Sequence, residues 1–390
     1  MEMVSTDAVM QTAIRPPIVM ESGKGSWLVD TEGKRYLDFV QGWAVNCLGH
    51  CPPQVIEPLM RQAQQLINPS PAFYNTEMIR LATLIATQSR MDRVFFCNSG
   101  AEANEGAIKL ARKWGQKHKN GAFEIITFDN AFHGRTLATM SASGKAQWAQ
   151  LFEPKVSGFR KVPFNRINAV ESAISDQTVA IMLELVQGEG GVIPADQDFV
   201  HQLSDLARKH DLLLIIDEVQ TGIGRTGSVF CFQRYGVTPD IMTLGKGLGG
   251  GVPIAALVAK ENVSVFDPGD QGGTYNGNPL MTAVGYEVLS TISDPSFLDD
   301  VQVRATYFVQ KLQALAEQFG LSGTRGMGLL QALILNSDDA AKIVATAMAR
   351  GLLINAPQPN IIRFMPALTV THDEIDRMIE ILSGVLSEVV

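Results

Sequence analysis

Leu212-Leu213-Leu214-Ile215-Ile216-Asp217-Glu218-Val219-Gln220-Thr221-Gly222 is the stretch on which the architecture turns. Apolar residues follow one another without alternation, which describes a strand covered on both faces, as in a parallel sheet wrapped by helices. The run then stops at two carboxylates. In open α/β sheets ligands bind beyond the carboxyl ends of the strands, so Asp217 emerges where a bound group would sit. A surface acid or a helix cap is the competing reading, and this stretch alone does not separate them.

The surrounding sequence repeats the pattern. Apolar runs at 93–97, 124–128, 179–183 and 241–244 alternate with helical patterns at 55–66, 77–89, 102–118 and 197–210. Such alternation predicts a layered α/β fold. Trp27-Leu28-Val29-Asp30 and Arg35-Tyr36-Leu37-Asp38 flank a Thr31-Glu32-Gly33-Lys34 turn and read as a hairpin. Residues 1–12 are polar and unpatterned, a loose arm. Beyond Pro279 the pattern changes to helices at 280–292 and 296–319, a strand at 329–335, and helices at 338–350 and 372–388. Asp338-Asp339 and Thr371-His372-Asp373-Glu374 are good helix starts. The expected organisation is a large domain at 55–279 with a mostly parallel sheet. A smaller α/β domain at 280–390 is joined by the N-terminal segment 1–54.

Composition excludes some functions. Lys and Arg number 32 against 40 Asp and Glu, a formal charge of −8. A nucleic-acid surface needs clustered cations, and Lys109, Arg112, Lys113 and Lys117 recur at helical spacing, as on a solvated helix face. No apolar run approaches a membrane span, and no charged start followed by an apolar core marks a signal peptide. Cys47, Cys51, Cys97 and Cys231 lack both disulfide-framework and metal-ligand spacing, so no metal is expected. Reduced thiols in a cytoplasmic enzyme are the expectation.

Two further stretches carry chemistry. Ile241-Met242-Thr243-Leu244 ends in Gly245-Lys246-Gly247. An ammonium at the buried end of a strand must be paired, deprotonated or covalently used, and a lysine of depressed pKa forms imines with aldehydes. A surface lysine in a glycine-rich loop is the alternative. The glycines that follow do not have dinucleotide-loop spacing, which argues against a nicotinamide enzyme. Cys97-Asn98-Ser99-Gly100-Ala101-Glu102 lies between a strand and a strong helix. Free N–H groups at such a helix start make an anion site, although capping alone would explain Ser99. Together, a phosphate cradle, a strand-end carboxylate and a strand-end lysine are what pyridoxal 5'-phosphate requires. The phosphate anchors, Asp217 keeps the pyridine nitrogen protonated, and Lys246 forms the Schiff base.

These residues also resemble a family. Ser99-Gly100-Ala101-Glu102-Ala103-Asn104-Glu105, Phe132-His133-Gly134-Arg135-Thr136 and Gln187-Gly188-Glu189-Gly190-Gly191 look like the class III aminotransferases. So do Asp217-Glu218-Val219-Gln220-Thr221-Gly222 and Gly273-Thr274-Tyr275-Asn276-Gly277-Asn278-Pro279-Leu280. The resemblance runs in order over roughly residues 20 to 380. It implies an aspartate-aminotransferase-like large domain of PLP fold type I. It also implies that the backbone of Gly100 and Ala101 holds the phosphate, with Thr274 reaching it from a partner subunit in a homodimer. Phe132 and Val219 would cover the ring, Gln220 would meet its phenolic oxygen, and Glu218 would lie beside the cofactor. His133 is assigned no proton-transfer role.

For substrate, the resemblance implies Arg135 for a distant carboxylate, with Gly273 nearby. Glu189 pairs with Arg363 of Ile361-Ile362-Arg363-Phe364, masking it for terminal amines and releasing it for the α-carboxylate of glutamate; a static ion pair is the alternative. Ala44-Val45-Asn46, Gly49-His50 and Ala107-Ile108-Lys109-Leu110-Ala111-Arg112 point to an acylated donor such as N-acetylornithine with 2-oxoglutarate as acceptor. Free ornithine, succinyldiaminopimelate or another ω-amine is the competing donor, and a non-catalytic cofactor-binding regulator the remote one. The chain departs from the family at Leu185, where proline is frequent, and at Trp43, where a smaller apolar residue is usual. Gly42 stands near the place of a tyrosine that reads free ornithine.

Overall fold

The computed structural model describes residues 6–389, so the first five residues of the expected arm lie outside the described residues. A seven-stranded sheet runs in the order Arg93–Cys97, Ala255–Ala259, Ile241–Leu244, Leu213–Asp217, Thr178–Leu183, Glu124–Phe128, Phe159–Val162. Ala255–Ala259 is antiparallel to both neighbours, and the other pairings are parallel. Every residue of the four strands Thr178–Leu183, Leu213–Asp217, Ile241–Leu244 and Ala255–Ala259 is buried. Continuous apolar runs are stable only under such two-sided cover, each fully buried Leu or Ile contributing about 1.5–3 kcal/mol.

Helix Gly100–His118 lies against this sheet through Ala103, Ala107, Leu110, Ala111 and Trp114. Its start is fixed by a capping box. Glu102 N–H donates to Ser99 Oγ at 3.3 Å, and Ser99 N–H donates to Glu102 Oε2 at 3.1 Å. Near its other end Gly115 is obligatory, because a Cβ there would collide with the carbonyl oxygen of Ala122.

A second, antiparallel sheet orders Gly323–Met327, Leu330–Ile334, Ile361–Phe364 and Asn355–Gln358. Only one of these four strands is legible as a strand in the sequence. Gly323-Thr324-Arg325-Gly326-Met327 and Asn355-Ala356-Pro357-Gln358 are poor strand formers held in place by their neighbours' ladders.

The hairpin at Trp27–Asp30 and Arg35–Asp38 forms as expected, and Leu352–Leu353 pairs with it in parallel. Glu374, in the first turn of helix His372–Val389, accepts from Ser26 Oγ at 2.9 Å and from Trp27 Nε1 at 3.2 Å. The hairpin is thereby held directly against the last helix and Leu352–Leu353. After the hairpin, Gln41, Gly42, Trp43 and Ala44 have φ of 49°, 59°, 66° and 64°, one turn of left-handed backbone. Three are not glycine, each at a cost of roughly 1–2 kcal/mol. Asp38 Oδ1 anchors the turn by accepting from the N–H of Val40 and Gln41 at 2.8 and 2.9 Å.

Candidate active site

The carboxyl ends of the parallel strands open on one hollow. Leu213–Asp217 delivers Asp217, Ile241–Leu244 delivers Lys246, Arg93–Cys97 leads into Gly100, and Thr178–Leu183 into Glu184. Register sets the lateral fit. Asp217 is paired with Thr243, and Ile216 with Leu183, so Glu184 comes abreast of Asp217. A cavity of about 240 Å³ is lined by Gly100, Ala101, Phe132, Arg135, Asp217, Val219, Gln220 and Lys246. Asn104, His133, Gly134 and Glu184 complete it. A larger surface hollow of about 440 Å³ near Asn165, Asp196 and Phe199 has neither a lysine nor a strand-end site among its lining groups.

Asp217 is the best-anchored group here, 3% exposed. Its Oδ2 accepts from Asn104 Nδ2 and contacts His133 Nδ1, both at 2.8 Å, and its Oδ1 accepts from Val219 N–H at 3.0 Å. The orientation of Asn104 is fixed in turn, since Thr243 Oγ1 donates to its Oδ1 at 2.7 Å. Burial pulls the pKa of His133 down, but the hydrogen bond and charge of Asp217, with Glu184, raise it on balance. Burial pushes the Glu184 carboxyl up to about 7. Burial also lowers the Lys246 ammonium below its ordinary value, against the pull of Asp217 and Glu184 and with help from Arg363. An amine so placed gives up its proton more readily than an ordinary lysine, as a general base must. Lys246 holds φ of 42°, an unusual backbone for a residue with a side chain.

Five expected residues do not line the cavity: Arg363, Glu189, Gly273, Thr274 and Glu218. Arg363 and Glu189 stand beside it. Arg363, fully buried in the middle of the second sheet, donates from Nη2 to Glu189 Oε1 at 2.7 Å. Asn355 Oδ1 accepts from its Nε and Nη2 at 2.9 and 2.7 Å, while Nη1 has no partner among the described residues. Burial alone would raise the Glu189 carboxyl; Arg363 and Lys145 overcome it and hold it at about 2. Trp43 lays its ring 5.6 Å from the Arg363 guanidinium. Further off, Gly273 and Thr274 belong to a loop tied to the helix start by Asn98 Nδ2 donating to Asn276 Oδ1 at 2.9 Å, and Thr274 is exposed. The Glu218 carboxylate accepts from Thr221 Oγ1 at 2.6 Å and from Phe232 N–H at 2.8 Å, a structural engagement away from the cavity lining.

The residues present fit pyridoxal phosphate. Ser99 is consumed in capping, which leaves the first N–H groups of the helix, at Gly100 and Ala101, for an anion. A Cβ at Gly100 would strike Val219, so the glycine keeps this corner open. Gln220 Oε1 and His133 Nε2 are buried without a partner among the described residues. Asn104, His133, Glu184 and Lys145 were not singled out from sequence as site groups. Asn104 and His133 lie within the quoted motifs, but their bonds to Asp217 span 113 and 84 residues.

The chain matches the family model for aminotransferase class III over residues 9–386 and belongs to that family. A relative named acetylornithine aminotransferase, from Ralstonia nicotianae, is 61% identical over 97% of both chains. The crystal structure of N-acetylornithine aminotransferase from Stenotrophomonas maltophilia superposes with a TM-score of 0.85 at 34% identity, covering 96% of each chain. An ornithine aminotransferase from Toxoplasma gondii, described with partial occupancy of PLP at its active site, gives 0.92 at 33% identity, covering 98% of this chain and 92% of its own.

Proposed function

We propose that the chain transfers the terminal amino group of N2-acetyl-L-ornithine to 2-oxoglutarate. The products are N-acetyl-L-glutamate 5-semialdehyde and L-glutamate, a step of arginine biosynthesis. The cofactor is pyridoxal 5'-phosphate. Bound here, it supplies an aldehyde that joins reversibly to amines and a protonated ring that draws electrons from the adjoining carbon. Gly100 and Ala101 N–H groups hold its phosphate, and Phe132 and Val219 cover its ring. Asp217, oriented by Asn104, His133 and Val219, faces the ring nitrogen and keeps it protonated; this is electrostatic preorganisation. Lys246 Nζ takes the proton from the substrate carbon bearing nitrogen and hands it on. Glu218 supports the strand end without touching the ligand.

The observation that carries the substrate reading is the masked arginine. Arg363 is buried, its Nη1 has no partner among the described residues, and the anion covering it is partly exposed. Paired with Glu189, it leaves an apolar approach for a terminal amine; released, it binds the α-carboxylate of glutamate. Arg135, exposed at the mouth of the same cavity, takes the distant carboxylate in both cases. The decisive experiment is a panel of amine donors against 2-oxoglutarate, with Lys246→Ala as the blank. N-acetylornithine should be preferred over free ornithine and putrescine. Arg363→Ala should impair the glutamate half-reaction more than the ω-amine one, and equal damage would defeat the gate.

A homodimer is part of the proposal. Phe73, Tyr74 and Tyr275 are 66%, 86% and 64% exposed, on two loops joined by Asn75 Nδ2 donating to the Gly277 carbonyl at 2.8 Å. Exposed rings gathered this way suit a subunit contact, and Thr274 lies among them, ready to reach a partner's phosphate site. The domains are taken as 55–279 for the cofactor and 280–390 with 1–54 for the smaller body. The four cysteines are unpaired, which suits the cytoplasm.

A further inference from the structure

Glu189 is held by two cations. Its Oε1 accepts from Arg363 Nη2 and its Oε2 accepts from Lys145 Nζ, each at 2.7 Å. Lys145 lies between the short helix Leu137–Ala142 and the turn Ala146–Trp148. Its ammonium stands 5.1 Å from the ring centre of Phe132 and 5.3 Å from that of Trp148, both aromatic faces that favour a cation. The side chains of Lys145 and Glu189 are 21% and 25% exposed, whereas that of Arg363 is 0%.

The two cations differ in what they need from Glu189. Arg363 keeps Asn355 and the Trp43 ring whether or not Glu189 is present. A largely buried carboxylate cannot give up its last cation cheaply, because desolvation is no longer offset. With Arg363 as sole partner, departure of Glu189 would strand that charge. With Lys145 on the second oxygen, Glu189 can part from Arg363 and remain paired. Resting on the gate described under Proposed function, we propose that Lys145 is a positioning residue that keeps Glu189 paired when it leaves Arg363, and so sets how readily the site admits an α-carboxylate.

The consequence is selective. Removing Lys145 leaves Arg363 as the only cation for Glu189 and tightens the mask, to the disadvantage of dicarboxylates. Terminal-amine donors, which are taken with the mask in place, are unaffected. In the Lys145→Gln holoenzyme, kcat/KM for glutamate and for 2-oxoglutarate should fall about tenfold, mainly through KM, a normal size for coupling between two sites. The half-reaction with N-acetylornithine should stay within about twofold, a split that general misfolding would not produce. Lys145→Arg, which restores a cation, should recover most of the loss.

Binding of glutarate, an unreactive dicarboxylate, to each holoenzyme by calorimetry gives a readout apart from turnover. Glutarate should bind about tenfold more weakly to Lys145→Gln and near normally to Lys145→Arg. Adding Lys145→Gln to Glu189→Gln should change nothing further, since the lysine acts through the carboxylate. Loss in both half-reactions together, or a Lys145→Gln defect that persists in the Glu189→Gln background, would overturn the inference in favour of direct substrate contact. If Glu189→Gln alters the glutarate affinity while Lys145→Gln does not, the lysine inference falls and the gate stands. If Glu189→Gln leaves that affinity unchanged, the gate itself falls, and the lysine inference with it.

Discussion

Exchanging Asn104 for aspartate changes one atom under Asp217 and leaves the shape of the site alone. Thr243 Oγ1 occupies the amide oxygen, so the amide nitrogen faces Asp217 Oδ2 at 2.8 Å and the His133 carbonyl at 2.7 Å. In Asn104→Asp an oxygen takes that place, at a position only 1% exposed. Two buried carboxylates this close do not both ionise, so the pair must hold a proton. Keeping a proton at pH 7 on a carboxyl of ordinary pKa near 4 costs about 4 kcal/mol. The lost charge-assisted bond adds about 1.5–3 kcal/mol, offset in part by the shared-proton bond that replaces it. A net loss of about 3–5 kcal/mol at neutral pH follows.

The sign with pH is definite. The pair's folded-state pKa is raised above the unfolded value, so the protonation part of the cost is absent below about pH 4 and grows by about 1.4 kcal/mol per pH unit above it. It levels off once pH passes the folded-state pKa. Calorimetric unfolding of both proteins at matched concentration, from pH 5 to pH 8, measures this directly. With its proton shared, Asp217 no longer carries a full charge, and turnover should fall about 10²-fold. A variant within about 1 kcal/mol of the wild type at every pH would refute the orientation assigned to Asn104.

Three other substitutions have defined outcomes. Gly188→Ala would drive its methyl into Gln220 Oε1 and to 3.3 Å from Arg363 Nη1, so cofactor affinity should drop about tenfold in a direct titration; unchanged affinity would remove Gln220 from the site. Burial pushes the fully buried Glu218 carboxyl up to about 7, against its bonds from Thr221, Phe232 and Cys231. Its stability contribution is therefore full below the unfolded pKa near 4.5 and lost as pH rises through 7. Glu218→Gln should gain on the wild type by up to about 3 kcal/mol between pH 5 and pH 8, read from melting curves. Trp43→Ala strips a half-exposed ring from Arg363 at a stability cost under about 1 kcal/mol, and opens the guanidinium to water. The KM for glutamate should rise about 2–5-fold while that for N-acetylornithine holds.

Much of the sheet was readable because two-sided burial writes itself as unbroken apolar runs: 93–97, 124–128 and 241–244 are strands at the expected bounds. Ala255–Ala259 went unnoticed because alanine has little strand preference; its place is set by antiparallel ladders to Arg93–Cys97 and Ile241–Leu244. Asp217 and Lys246 stood out because a charge at the end of a buried strand contradicts its surroundings. The groups that hold them did not, since Asn104, His133 and Glu184 look like an ordinary helix amide, a motif neighbour and a strand-end acid until the fold brings them together. Lys145, in a polar segment with no period, carried no signal at all.

The seam between the hairpin and Leu352–Leu353 also constrains how the chain is made. Asp38 emerges from the ribosome more than three hundred residues before its strand partner Leu353. At about 5–20 residues per second, Arg35–Asp38 waits roughly 15–60 s with one edge open. During that interval the apolar side of the hairpin is available to any passing sheet edge, including that of another nascent copy. Slowed translation should therefore lower soluble yield more for this protein than for one whose first strands pair locally. Deleting the last helix should release the first strands as well.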